Sequence, residues 1–179
     1  MVNEKQFISA QGPIQRTIGD FWRLIDEQSC QVIVMLTGIE EQGRIKCAQY
    51  WSDDQPTDVT AHLRVTLASR RDYSDYVIRR FTLQNLDTGI VRDVLHFHFI
   101  AWRDFLAPEQ PSWLLRFIKR VNEHHCPDRG PILVSVLFVN LCRFIYNTFL
   151  CFFITKGALL SWGRSDWHLH RHRQSHSTD

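Results

Sequence analysis

The chain has 179 residues, 44% of them hydrophobic and 22% charged, with a formal net charge of +2 at pH 7. That length supports one domain with its own core, and the near-neutral balance argues against a general nucleic-acid binder. The five cysteines, Cys30, Cys47, Cys126, Cys142 and Cys151, form no C-x-x-C pair and no even framework, and no charged-then-apolar leader opens the chain; a reducing, cytoplasmic setting without structural zinc or disulfides is expected.

In chain order, "TIGDFWRLIDEQ" predicts an amphipathic helix. Thr17 is placed to cap it, and Ile18, Phe21, Trp22 and Ile25 share one face. "QVIVMLT" is a continuous apolar run, as expected of a strand covered on both sides. "EEQGRIKCAQYW" reads as a glycine-centred turn leading into a strand. The stretch from His62 to Trp102 predicts strands separated by the turn signal "NLDTG". "PSWLLRFIKRVNEHH" predicts a second helix that buries Trp113, Leu114, Phe117, Ile118 and Val121. "GPILV" then starts another buried strand. Strands and helices mixed in this way predict an α/β or α+β domain.

The motifs "QGP", "DFWR", "EQGRIKCAQYW", "HFHFIAWRD" and "GPILV" follow one another in an order and spacing that resemble the catalytic domain of a classical protein tyrosine phosphatase. The likeness runs from about Phe7 to Val134 and is nearest in flavour to receptor-type members. It implies a twisted mixed sheet flanked by helices, phosphotyrosine proteins as partners, no metal and no cofactor. It also implies a place in the cytosol, on the inner side of the membrane for a receptor-type protein. In the family a cysteine thiolate attacks the phosphorus, giving a cysteinyl-phosphate that water hydrolyses. The thiolate sits in an H-C-x-x-x-x-x-R loop whose backbone N–H groups cradle the phosphate and whose arginine grips it.

Carried over by motif, Asp104 in "WRDFLAP" holds the position of the general acid and Trp102 that of the hinge tryptophan of its loop. Arg103 stands where the family has proline, and Leu106 where it has glycine. Both changes alter the backbone freedom of that loop. Glu41 and Lys46 match the residues that support the phosphate arginine and the acid loop. Taken singly, each of these charges would pass for an ordinary surface group; the motif context assigns the positions.

The nucleophile does not follow. The family continues "GPILV" with "HCSAGVGRTG", whereas this chain continues with "SVLFVN". No other cysteine replaces it, because none has an arginine six positions on: Leu36, Asp53, Ile132, Thr148 and Gly157 occupy those places. Val134-Ser135 can be encoded GTGAGT or GTAAGT, the usual start of an intron. One permitted spelling of Ala158 to Ser175, read one base further on, translates as HCSAGVGRTGTFIAIDS. The reading that follows is a partial phosphatase domain over 1–134, an apolar non-family segment over 135–155 that resembles translated intron, and a frame-shifted, disordered His/Arg-rich tail over 156–179.

That tail, with "HLHRHRQSH", also has the look of a metal site or nucleic-acid patch, but frame-shifted coding accounts for it better. The apolar run 131–154, broken by Asn140, Arg143 and Asn147, is long enough to cross a bilayer. Arg143 near its middle opposes insertion by about 2.5–3.5 kcal/mol. The family domain begins before Met1 and continues beyond Val134. A sheet bare over part of one face and a marginally stable chain are therefore expected. A truncated, inactive phosphatase relative is the favoured reading. The alternatives are a phosphatase-like binding module and a membrane-associated fragment.

Overall fold

The computed structural model describes residues 7–41, 43–101, 111–126 and 130–136. Nine strands and two α-helices make up this part of the chain. They are β1 (Phe7–Gln11), α1 (Ile18–Glu27), β2 (Val32–Met35), β3 (Glu40–Glu41), β4 (Arg44–Ile45), β5 (Thr57–Asp58), β6 (Leu63–Asp72), β7 (Tyr76–Asn85), β8 (Val91–Phe99), α2 (Pro111–His124) and β9 (Ile132–Val136). Seven strands form one sheet in the order β1-β9-β2-β8-β7-β6-β5, and β3 and β4 form a separate ribbon. β1, β9, β2 and β8 run parallel, while β8, β7, β6 and β5 form an antiparallel run. The mixed sheet flanked by helices is the α+β architecture expected from the sequence.

Period-two alternation sends each central strand's side chains to two cores. Val32 and Val34 of β2, Phe97 and Phe99 of β8, and Ile132, Val134 and Val136 of β9 pack with Leu114, Phe117, Ile118 and Val121 of α2. Ile33, Met35, Val94 and Leu133 point the other way, toward Phe21, Trp22 and Ile25 of α1. Trp22 is fully buried. Its Nε1 donates to the Tyr50 carbonyl at 2.7 Å, and its ring meets Phe81 edge-on at 5.7 Å. Burying such side chains is worth roughly 1.5–3 kcal/mol each. Trp113, expected in the buried stripe of α2, is only partly buried against this core.

Three local expectations need correction. Thr17 stands at the N-cap of α1 but makes no side-chain cap there. Its hydroxyl donates to the Ile14 carbonyl and accepts from the Ile14 N–H, closing the preceding 3-10 turn Gln15–Thr17 instead. The strand expected after the glycine turn shrinks to Arg44–Ile45; Gly43, at φ 71°, closes the β3–β4 ribbon. Cys47 and Tyr50 are then buried without strand pairing. Lastly, the strand that "GPILV" starts runs past Val134 and covers more of the sheet than expected. Ser135 and Val136 continue the strand, opposite Ala10 and Gln11 of β1, and all five residues of β9 are buried. The bare sheet face expected from the sequence is absent from β2 and β9, which are buried throughout; the edge strand β1 is only half-buried.

Gly130 explains how β9 enters the sheet. Its φ of 102° is denied to most side chains, and any Cβ there would collide with the Ser29 carbonyl just past α1. Ser29 itself adopts φ 53° after the helix end, where the Cys30 N–H returns to the Ile25 carbonyl at 3.0 Å. The start of β9 is thus fitted against the C-terminal turn of α1.

Candidate functional site

Ligands of open α/β sheets bind beyond the carboxyl ends of the parallel strands. Here that edge joins the ends of β1, β9, β2 and β8. The Gly12 N–H donates to the Val136 carbonyl at 3.2 Å, and the Leu36 N–H to the Ser135 carbonyl at 3.1 Å. The Ala48 N–H donates to the Pro13 carbonyl at 2.8 Å, tying the segment after the β3–β4 ribbon to the end of β1. A Cβ on Gly12 would lie 2.8 Å from Cys47 Sγ and 3.6 Å from Ser135 Oγ. The glycine of "QGP" is therefore required by close packing against Cys47, with Ser135 Oγ at ordinary contact distance.

Two of the positions assigned from the motifs lie in or beside the separate β3–β4 ribbon. Glu41 lies in β3, paired with Arg44. Lys46 directly follows β4, and its N–H donates to the Ile39 carbonyl at 2.8 Å, as does the Cys47 N–H at 3.3 Å. Asp104 and Trp102 lie outside the described residues, as do Arg103, Leu106 and the chain beyond Val136.

Ser135 and Val136 end β9 at this edge, opposite Ala10 and Gln11 of β1. Ser135 is fully buried, and its Oγ has no hydrogen-bond partner. Such an atom is an uncompensated polar group in the sheet. Neither of the buried thiols, Cys47 at this edge and Cys30 at the opposite end of β2, is poised for nucleophilic work. Burial pushes Cys47 up to about 12, and burial, partly offset by Arg92, pushes Cys30 up to about 11. A reactive thiol needs the opposite shift.

Behind the edge lies a buried polar cluster that motif reading passed over. His96 is fully buried, with Nε2 2.8 Å from the Tyr50 hydroxyl. His98 Nε2 lies 3.1 Å from the Thr37 carbonyl. Burial, with the neighbouring His98 and Arg79, holds His96 well below the usual imidazole range. Burial beside Arg79 brings His98 down to about 4. The Arg79 guanidinium stacks over Trp51 at 4.6 Å and faces Asp53 at 3.9 Å. The signal for this cluster was the alternation in "HFHF": phenylalanines face α2 while histidines face the opposite core.

Among the described residues, no group of three or more His, Cys, Asp or Glu side chains could hold a metal ion. No described helix is long and apolar enough to cross a membrane. The apolar run named above gives its first residues, Ile132–Val136, to the sheet; its remainder lies outside the described residues.

Comparison with known proteins agrees with this geometry. The family model described as protein-tyrosine phosphatase matches residues 1–137. Tyrosine-protein phosphatase 69D of Drosophila melanogaster is 39% identical over 136 residues, which is 73% of this chain and 9% of that protein. Receptor-type tyrosine-protein phosphatase S of Gallus gallus is 40% identical over 131 residues, again 73% of this chain and 9% of the relative. The chain thus spans a small fraction of the length of these relatives. The match runs through the whole described sheet and ends one residue past β9, and on that ground the chain belongs to the protein-tyrosine phosphatase family.

Proposed function

We propose that this chain is a catalytically inactive member of its family, a phosphatase-fold fragment that hydrolyses no phosphotyrosine. One observation carries the reading: Ser135 and Val136 continue β9 as buried strand where the family's His-Cys pair would open the phosphate loop. Covalent phosphoryl transfer needs a thiolate held among N–H donors, and no cysteine of this chain is followed at the required spacing by arginine. The buried Cys30 and Cys47 are driven toward the neutral thiol. In this reading Asp104, Trp102, Glu41 and Lys46 keep family positions without a reaction to serve. Phosphotyrosine proteins are substrates of active relatives and not of this chain. The parent protein works on the cytosolic side, residues 135–155 are translated intron, and residues 156–179 are frame-shifted coding of the catalytic loop.

The test is release of phosphate from a phosphotyrosine peptide by the full chain. No release above buffer is expected, and Asp104→Ala should change nothing. Turnover that disappears in Asp104→Ala would overturn the proposal. Sequencing transcript and genomic DNA across codons 133–176 tests the origin of the tail. A splice donor at codons 134–135, with an acceptor before an in-frame "HCSAG" exon, is expected.

A further inference from the structure

A groove of about 340 Å³ lies on the α2 side of the sheet, away from the strand-end edge, lined by Ser69, Arg71, Ile78, Arg80, Leu95, Arg120 and His124. The β-bulge between Leu67 and Ser69 shifts the register of β6 just before Ser69 and Arg71. Ile78 and Leu95 supply an apolar floor, and the cations come from three separate elements, β6, β7 and α2. Among the described residues no carboxylate is in the lining. The nearest acids sit at its margins: Asp93 faces Arg80 at 3.9 Å, and Glu123 faces Arg120 at 3.0 Å. Arg120 is also hydrogen-bonded to Tyr73. The Arg71 side chain makes no ion pair or hydrogen bond among the described residues, its backbone being paired with Ile78 of β7. His124 Nδ1 is 2.9 Å from the Arg120 carbonyl, one turn back, which leaves Nε2 as the ring's other polar atom.

Three arginines and no lysine in one small groove is a choice of chemistry. The guanidinium fork matches the oxygens of a phosphate in two-point contact, which a lysine ammonium cannot do. An apolar floor beneath the cations suits the carbon part of a phosphorylated side chain better than a bare ion. Recognition of phosphorylated segments by arginine clusters is an established mode. We propose that this groove docks a phosphorylated segment of a partner protein, with the phosphate held by Arg71, Arg80 and Arg120 and its side chain lying over Ile78 and Leu95. The site is separate from the strand-end edge and does not depend on whether that edge is active.

The test uses the full chain and a fluorescent ten-residue peptide with one phosphotyrosine among glutamates. Its unphosphorylated twin and vesicles carrying a phosphoinositide serve as comparison probes. The phosphopeptide should bind at least ~10-fold more tightly than its twin, as expected for charge-assisted bonds to a phosphate. Arg71→Gln with Arg120→Gln should abolish most of that difference, and Arg71→Lys, which keeps the charge but loses the fork, should weaken binding several-fold. Arg64→Gln, an exposed arginine of β6 paired with Asp58, should leave binding unchanged. Circular-dichroism melts of the variants check that the fold is kept. Four results would each overturn the proposal: equal affinity for both peptides, no effect of the groove variants, equal loss with Arg64→Gln, or binding to the vesicles but not the peptide.

Discussion

The two halves of the sheet are built on opposite principles. β6, β7 and β8 pair with their neighbours in sequence through the turn at Tyr73–Asp75 and the Asn85–Gly89 loop. In that loop Asn85 Oδ1 accepts from the Asp87 and Thr88 N–H groups, and Gly89 takes φ 70°. The parallel half instead sets β9 between β1 and β2, so Phe7 pairs with Ile132 and Val32 pairs with the same residue from the other side. Local pairings close small loops, whereas this strand closes loops of roughly a hundred residues. The strand-end edge belongs to the half whose assembly depends on one late strand, and the family match ends one residue beyond that strand.

Leu133→Asp gives the harshest test of that contrast. It places a charge in the α1-side core of β9, and a loss of about 5 kcal/mol or more is expected. Hydrogen exchange should show β1, β9 and β2 losing protection before β6 and β7. Equal loss in both halves would make the sheet one cooperative unit and end the comparison. Next in size, Phe117→Ala removes the ring on which Tyr76, Phe97 and Phe99 converge, at 5.5, 6.3 and 5.1 Å. Urea denaturation should register a loss of about 3–5 kcal/mol. Because those partners come from β7 and β8 and the helix also covers β9, this change should weaken both halves together.

The acid sensitivity of the seam between the halves is smaller. β8 carries His96 and His98, both held neutral by burial, so the unfolded chain binds protons that the native state does not. Their contribution is complete above the unfolded histidine range near pH 6.5 and falls as pH drops; for His98 the loss continues down to about 4. Each should cost about 1.4 kcal/mol per pH unit within its window. Denaturation midpoints measured at pH 7 and pH 5 should show the drop, and His98→Gln should roughly halve its slope. An unchanged slope in that variant would remove His98 from the account. The smallest effect is expected at Arg64→Ala, which removes the bidentate pair with Asp58 at 2.6 and 3.0 Å on the outer strands. Both groups are exposed, and water and salt compensate for such pairs, so the midpoint should not move measurably.

Much of this architecture was legible in the residues. The i, i+3, i+4, i+7 pattern of Ile18, Phe21, Trp22 and Ile25 predicted the buried face of α1. The unbroken run "VIVM" predicted a strand covered on both sides, and "NLDTG" marked the β7–β8 turn. The motifs around Glu41 and Lys46 and the continuation of "GPILV" with "SVLFVN" mark positions along the chain and not roles. Thr17 was misread because a cap residue and a turn residue share the same hydroxyl chemistry, and only the position of Ile14 decides between them. The buried histidines were missed because "HFHF" reads as alternation without saying which face is the core; here both faces are.

What the sequence determined by itself is periodicity, turn chemistry and the presence or absence of reactive groups. These are properties of neighbours a few residues apart, so the family likeness and the absence of any cysteine with an arginine six residues on can be read directly. Tertiary structure alone decided that β9 enters between β1 and β2, that Ser135 and Val136 stay within the sheet, and that Arg71, Arg80 and Arg120 meet around one groove. Those outcomes depend on contacts between segments far apart in the chain. They are selected by the shared burial of two opposing cores, which no short window of sequence contains.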